Sequence, residues 1–152
     1  MKISTKGEYG IRAMLELTKR HGQGYVQSSI IAAIREIPEN YLYQLLITLR
    51  KAGLIKSRRG PQGGHMLARE PESITLAETV VALEGPLAVV SCVQPHVIHD
   101  CSFGDRCVLR DVWQRVTDAT EAILRETTFA ELARREKEFA YQAESDLDAP
   151  RD

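Results

Sequence analysis

With 152 residues, 43% of them apolar and 27% charged, the chain has room for one domain plus an appendage, and its composition is that of an ordinary soluble globular protein. It holds no run of eighteen apolar residues, which argues against a membrane-spanning helix, and MKISTKGEYG lacks the apolar stretch of a secretory signal, so a cytoplasmic protein with no membrane partner is expected. The formal net charge of −1 conceals a division: residues 1–69 carry twelve Lys/Arg against four Asp/Glu, a balance of +8, and residues 70–152 carry eight against seventeen, a balance of −9, so the first half is expected to face a polyanion such as nucleic acid.

Glu8 to His21 reads as the first helix. Ile11, Met14 or Leu15, and Thr18 recur at helical spacing, and Gly22 stands where a left-handed stop belongs. Ser28 or Ser29 can cap a short second helix whose apolar face is Ile30, Ile31, Ala33 and Ile34. A break at Glu36-Ile37 follows, and Pro38 suits the first turn of a third helix, which runs to about Ala52 before Gly53 stops it.

In that third helix Leu42, Leu45, Leu46 and Leu49 make one buried stripe. The opposite face is centred on Asn40, Gln44, Ile47 and Lys51, flanked by Tyr41, Tyr43 and Thr48. Asn and Gln amides pair both exposed edges of adenine in the major groove, and Tyr and Thr reach phosphates or base methyls. Ile47 is the odd member, an apolar residue that either touches a thymine methyl or packs on a neighbouring loop, the second reading being slightly favoured. Two short strands then flank a loop rich in Gly and Pro, from Leu54 to Ala68, entered by Lys56, Arg58 and Arg59. A basic hairpin straight after two helices reads as a wing. Its arginines suit a narrow minor groove, and its glycines let backbone N–H groups approach phosphates. The residues expected on DNA are therefore Ser28, Asn40, Tyr41, Tyr43, Gln44, Arg50, Lys51, Arg58, Arg59, Gln62 and Gly63, with Asn40 and Gln44 on base edges.

Glu70 to Ser73 reads as a linker and Ile74 to Glu84 as a helix ended by Gly85-Pro86. All three cysteines then fall within sixteen residues, as Cys92-x8-Cys101-x5-Cys107, in a loop that also holds His96, His99, Asp100 and Asp105. In a reducing compartment an odd, clustered trio argues for metal, thiol or redox chemistry rather than a disulfide scaffold. Asp105 can cap a long helix from Arg106 to Arg125. Its stripe of Val108, Leu109, Val112, Trp113, Val116, Ala119, Ile123 and Leu124 is too wide for the remaining core, so a second copy is expected to cover it. Thr128-x-x-Glu131 has capping-box spacing and starts a last helix to about Ala140, before a polar tail expected to be disordered. The domain reading is thus 1–84 for the winged helix-turn-helix, 85–105 for the cysteine loop, 106–140 for dimerisation and 141–152 for the tail. The fold class is mostly α with a small β-hairpin wing.

Taken together, MKISTKGEYGIRAML, NYLYQLLITLRKAGLIKSRRGPQGGHMLAR, ITLAETVVALEGPL and the cysteine trio resemble the IscR/NsrR/CymR family of Rrf-type winged-helix transcription regulators over about residues 1–135. The resemblance implies a homodimer on a palindromic operator, with repression the expected mode. Crossing long helices would join the two copies, recognition helices would lie in successive major grooves, and wings would lie in flanking minor grooves. In the cysteine-bearing branch, the positions matched by Cys92, Cys101 and Cys107 hold an iron–sulfur cluster. The chain departs from that branch in its long first gap and in having Arg110 where one branch places a histidine ligand. The cluster type, two-iron or four-iron, and the fourth ligand stay open. Glu8 of the partner subunit, His96 and His99 are the first candidates, with Asp100 and Asp105 behind them.

Thiolates are soft donors and the usual ligands of such clusters. Zinc is the weaker reading, since structural zinc sites favour C-x2-C pairs and none is present. A cluster-free regulator using thiol oxidation or a small-molecule or partner signal is the rival. An enzyme with Cys101 as nucleophile and His99 or His96 as base is remote, for want of an oxyanion motif or an orienting third residue.

Overall fold

Side-chain caps open the first helix at Ser4 and the fourth at Thr75, whereas the second, third and fifth helices start without one. The computed structural model describes residues 2–94, 101 and 103–147, with Asp105 and 144–147 described by backbone alone. The first helix, α1 (Thr5–Lys19), begins earlier than its apolar spacing suggests, because the Ser4 hydroxyl accepts the Gly7 N–H at 3.4 Å. The Glu84 carboxylate also sits there, accepting from the Ser4 N–H at 3.2 Å and from its hydroxyl at 2.6 Å. A negative charge at that end opposes the positive end of the helix dipole.

The second helix, α2 (Ser28–Arg35), is preceded by Gln27 in extended conformation. Neither serine caps it: Ser28 is already helical, and Gln27 makes no side-chain cap. Its buried positions are Ile31 and Ala32, so Ile30, Ala33 and Ile34 of the expected face look outward instead. Glu36 ends it at φ 53°, a left-handed conformation that costs a non-glycine residue about 1 kcal/mol. Ile37 is carried inward as a result, and its N–H reaches the Ala32 carbonyl at 3.0 Å.

The third helix, α3 (Glu39–Lys51), buries Leu42, Leu45, Leu46 and Leu49, as the period requires. Each contributes about 1.5–3 kcal/mol through area removed from water. Gly53, at φ 74°, closes a Schellman turn: its own N–H bonds the Arg50 carbonyl and the Leu54 N–H bonds the Leu49 carbonyl, both at 3.0 Å. Leu54 is thereby folded back into the same core.

Strands β1 (Ile55–Arg58) and β2 (Gly64–Leu67) pair antiparallel, Ile55 opposite Leu67 and Arg58 opposite Gly64. Val26 adds a third, one-residue rung by exchanging both backbone bonds with His65 at 2.8 Å. Gly64 is obligatory at this rung, because a Cβ there would lie 2.3 Å from the Val26 carbonyl oxygen. After a short turn at Pro71–Ser73, α4 (Leu76–Glu84) opens on a full capping box formed by Thr75 and Glu78. Burial pushes the Glu78 carboxyl up, but the Thr75 N–H and Arg69 outweigh it and hold the group below its ordinary range.

The long fifth helix is α5 (Arg110–Glu126). It starts later than Arg106, since residues 104–106 form a separate 3-10 turn that contains Asp105, and Leu109 occupies the cap position without a side-chain bond. The last helix, α6 (Phe129–Leu147), continues past Ala140 through seven positions that the sequence reading assigned to a disordered tail. Thr128 accepts the Glu131 N–H at 3.3 Å, but the Glu131 carboxylate turns to Arg135, so only half of a capping box forms.

The fold closes through long-range contacts. Phe129 is fully buried among Ile74, Leu83 and the leucines of α3, and its N–H bonds the Ile74 carbonyl at 3.0 Å. Glu16 of α1, only 3% exposed, receives Arg20 at 2.6 Å and Arg35 at 2.9 Å. Arg35 continues to Glu136 on α6. A buried carboxylate is tolerable only with such partners. Among the described residues no helix is long and apolar enough to cross a membrane.

Candidate nucleic-acid interface and cysteine loop

The register of α3 sorts its outward residues into two rows. Tyr43, Ile47 and Arg50 turn toward the hairpin and help line a groove of about 420 Å3 between the start of α2, α3 and the wing. Ser28, Arg58, Arg59 and Gly63 line the same groove. Asn40, Tyr41, Gln44 and Lys51 are exposed on α3 without lining it. Ile47 is half-buried and lines the groove on the wing side. Tyr41 is held by Tyr9 of α1, edge to face with centroids 5.7 Å apart, and Arg12 lies 5.6 Å over the Tyr9 ring.

The wing tip is a tight turn in which the Gly63 N–H bonds the Gly60 carbonyl at 2.9 Å. Gln62 sits at this tip with Arg58, Arg59, Gly60 and Pro61. The two wing arginines differ. Arg58 lies 4.5 Å over the Tyr25 ring and donates to the Gln62 carbonyl at 2.7 Å. Arg59 is exposed and makes no ion pair or hydrogen bond among the described residues.

The thiols fall between the winged unit and α5. Cys92 is half-buried in a 3-10 turn, Ser91–Val93. Cys101 is exposed, and Cys107 is half-buried just before α5. All three are free. Among the described residues no three His, Cys, Asp or Glu side chains come together as a metal-holding group. The candidates His96, His99 and Asp100 lie outside the described residues, and nothing is said of the Asp105 side chain. Glu8 is exposed on α1 and ion-paired with Arg12. On the outer face of α5, Ile123 is 64% exposed, with Val112, Trp113 and Val116 also exposed; just before the helix, Val108 is 86% exposed and Leu109 is exposed too. Leu124 instead packs inward against Ala77, Val80 and Leu87.

A family model described as Rrf2, iron-dependent transcriptional regulator, matches residues 3–135. The chain belongs to the Rrf2 family. It is 42% identical over 133 residues to the HTH-type transcriptional regulator CymR of Bacillus subtilis strain 168, covering 88% of this chain and 90% of that one. It is 30% identical over 148 residues to the regulator IscR of Vibrio atlanticus strain LGP32, covering 97% and 84%. Among solved structures, CymR, the global cysteine regulator of B. subtilis, matches with a TM-score of 0.73 at 41% identity, over 89% of this chain and 98% of that one. IscR of T. potens matches with a TM-score of 0.72 at 34% identity, over 100% and 94%. These matches establish a winged-helix Rrf2 transcription regulator that binds DNA.

This Rrf2 chain builds its wing groove partly from residues that sequence reasoning passed over. Gln27, Ser57 and His65, which line it, and Tyr25, which stacks on Arg58, show no periodicity and form no motif. The Gln27 amide donates to the Pro61 carbonyl at 3.3 Å, tying the approach to α2 to the wing tip. Ser57 Oγ stands 2.8 Å from His65 Nδ1. Burial, with Arg50 nearby, holds the His65 imidazole below its ordinary range, so it is neutral at neutral pH. The groove's positive charge therefore comes from its arginines.

Proposed function

We propose that the chain is a homodimeric cytoplasmic regulator, a repressor in its simplest form, whose grip on a palindromic operator is set by an iron–sulfur cluster on Cys92, Cys101 and Cys107. The observation that carries this reading is the place of the three free thiols. They sit in the segment joining the winged unit to α5, the helix whose outer apolar face has no cover in the monomer. Anything that ties or releases those thiols acts between the DNA-gripping unit and the helix that sets the distance between two such units. The donor chemistry fits, since three thiolates with a weaker fourth donor suit a labile centre. Such a centre, when bound, supplies sensitivity to iron supply, redox state or nitric oxide. The iron-dependent description of the family model agrees with it.

The residues of the chain do the rest. Asn40 and Gln44 read base edges; Tyr41, Tyr43, Arg50 and Lys51 contact bases and phosphates; Ser28 and the Gln62–Gly63 backbone hold phosphate. The stripe from Val108 to Ile123 is covered by its counterpart in the second copy. The test is operator binding by anaerobically reconstituted and apo protein at one salt concentration, with iron and acid-labile sulfide measured on both. A brown protein that loses iron when any one cysteine becomes alanine, and a difference in affinity of about 5–150-fold, are expected. Colourless, iron-free protein after reconstitution, or equal affinity in both states, overturns the cluster reading.

A second reading has its own support. The CymR match is at 42% identity, the solved CymR is a global cysteine regulator, and Staphylococcus aureus CymR, 36% identical, was solved in an oxidised form. With no three donors grouped among the described residues, the same thiols would act by oxidation without iron. Iron-free protein whose operator affinity changes with peroxide and recovers with dithiothreitol is the result that selects it.

A further inference from the structure

The two adjacent arginines of the wing are indistinguishable in sequence and are placed in different surroundings by the fold. Arg58 is engaged twice: its guanidinium stacks 4.5 Å from the centre of the Tyr25 ring, and its Nη2 donates to the Gln62 carbonyl at 2.7 Å. Both contacts bring the tip of the hairpin back toward the segment before α2. The Gln27 amide does the same from one residue beyond Val26, reaching the Pro61 carbonyl. Val26 itself is rung-paired to His65, one rung below the tip in β2. Tyr25, Val26 and Gln27 thus hold the outer half of the wing at its arginine, its second strand and its tip. Arg59 takes no part in this and stays exposed.

We infer that Tyr25 is a positioning residue for DNA binding: with Arg58 and the Gln62 carbonyl it clasps the wing in place, and Arg59 is left as the cation that enters the minor groove. The inference rests on the DNA-binding reading of the wing and deepens it by dividing the labour between the two arginines. The physical logic is preorganisation. A hairpin tip rich in glycine loses conformational freedom when it docks on DNA, and a clasp that orders it beforehand lowers that cost. A cation over an aromatic face at a partly exposed site, strengthened by one charge-assisted bond, is enough to bias such a tip without freezing it. The sequence preference of the protein is untouched, because the clasp contacts no base.

Two readouts separate this from a direct phosphate contact by Arg58. The first is made on the free protein, where the exchange rate of the Gly63 amide reports whether the tip turn stays closed. Tyr25→Leu and Arg58→Gln should speed that exchange by about 2–5-fold, the weight of one exposed cation–π contact, while Tyr25→Phe, which keeps the ring, and Arg59→Gln should not. The second is the salt dependence of binding to a duplex carrying the operator. Arg59→Gln should lower the slope by about one released counterion, while Arg58→Gln and Tyr25→Leu should weaken binding about 2–5-fold at an unchanged slope. Unchanged Gly63 exchange in both Tyr25→Leu and Arg58→Gln overturns the clasp. So does a slope that falls by about one in Arg58→Gln and not in Arg59→Gln. Should Tyr25→Leu fail to fold, the exposed Arg58→Gln variant carries both readouts alone. Wild-type protein that binds no duplex refutes the DNA-binding reading while the Gly63 comparison still decides the clasp.

Discussion

Arg35 on α2 and Glu136 on α6, 101 residues apart, share a two-pronged ion pair in which the Nη2–Oε2 arm measures 3.1 Å. Arg35 is simultaneously bonded to the buried Glu16, and Lys19 approaches Glu136 at 3.3 Å. The last helix is thereby bolted to the helix-turn-helix. The Arg35 bond, then its charge and that of Lys19, outweigh burial and hold the Glu136 carboxyl below its ordinary range. A carboxyl whose folded value lies below its unfolded value contributes stability above the unfolded value, near pH 4, and that stability is lost as pH falls through the folded value. Glu136→Gln should therefore be less stable than wild type by about 1 kcal/mol at pH 7, a figure kept small because Glu136 is about one-third exposed. The gap should narrow in denaturant titrations as pH falls below the ordinary carboxylate range. A gap that persists in acid means that the carboxylate charge is not what matters there.

On α3, Gln44 and Arg50 are both exposed but face different ways, Arg50 into the wing groove and Gln44 away from it. Gln44→Ala should cost about 1–3 kcal/mol on the preferred operator and relax preference at one base pair. Arg50→Ala should weaken all sequences alike and lower the salt slope by about one. Binding to a panel of single-base operator variants at two salt concentrations distinguishes them. Identical behaviour of the two variants would mean that the rows on α3 have been assigned the wrong tasks.

The outer face of α5 should report on assembly. Val112 is 45% exposed in the middle of the apolar stripe and takes no part in the buried core. Val112→Asp should leave the monomer folded by circular dichroism and shift the mass in light scattering from two chains to one. A buried unpaired carboxylate in the joint costs several kcal/mol. A variant that still runs as a dimer would place the joint elsewhere.

Phe129 belongs by sequence to the far end of the chain and by contact to the core of the winged unit. Phe129→Ala should cost about 3–5 kcal/mol, a large share of the stability of a domain this size. A fragment of residues 1–84, the DNA-binding unit as the sequence outlines it, should show a broad, non-cooperative melt. A sharp transition in that fragment would show that Phe129 is dispensable.

What could be read in advance and what could not follow a physical line. The leucine stripe of α3, its stop at Gly53 and the hairpin after it are local patterns with fixed periods, so their places were legible. The face of α2 was misjudged because eight residues with four apolar candidates leave the burial direction to the neighbours, and α1 buries Ile31 and Ala32. Two extra turns of α6 were missed because its polar composition resembles a tail. Of the candidate site, the residue types on α3 and the trio of cysteines were visible. The different positions of Arg58 and Arg59 were not, because Tyr25 lies far up the chain and acts only through space.

The burial of Phe129 also fixes an order of events during synthesis. A ribosome delivers Cys92, Cys101 and Cys107 before it delivers the ring that completes the interior of the reading head. Any chain whose winged unit has its full interior has therefore already made all three of its cysteines.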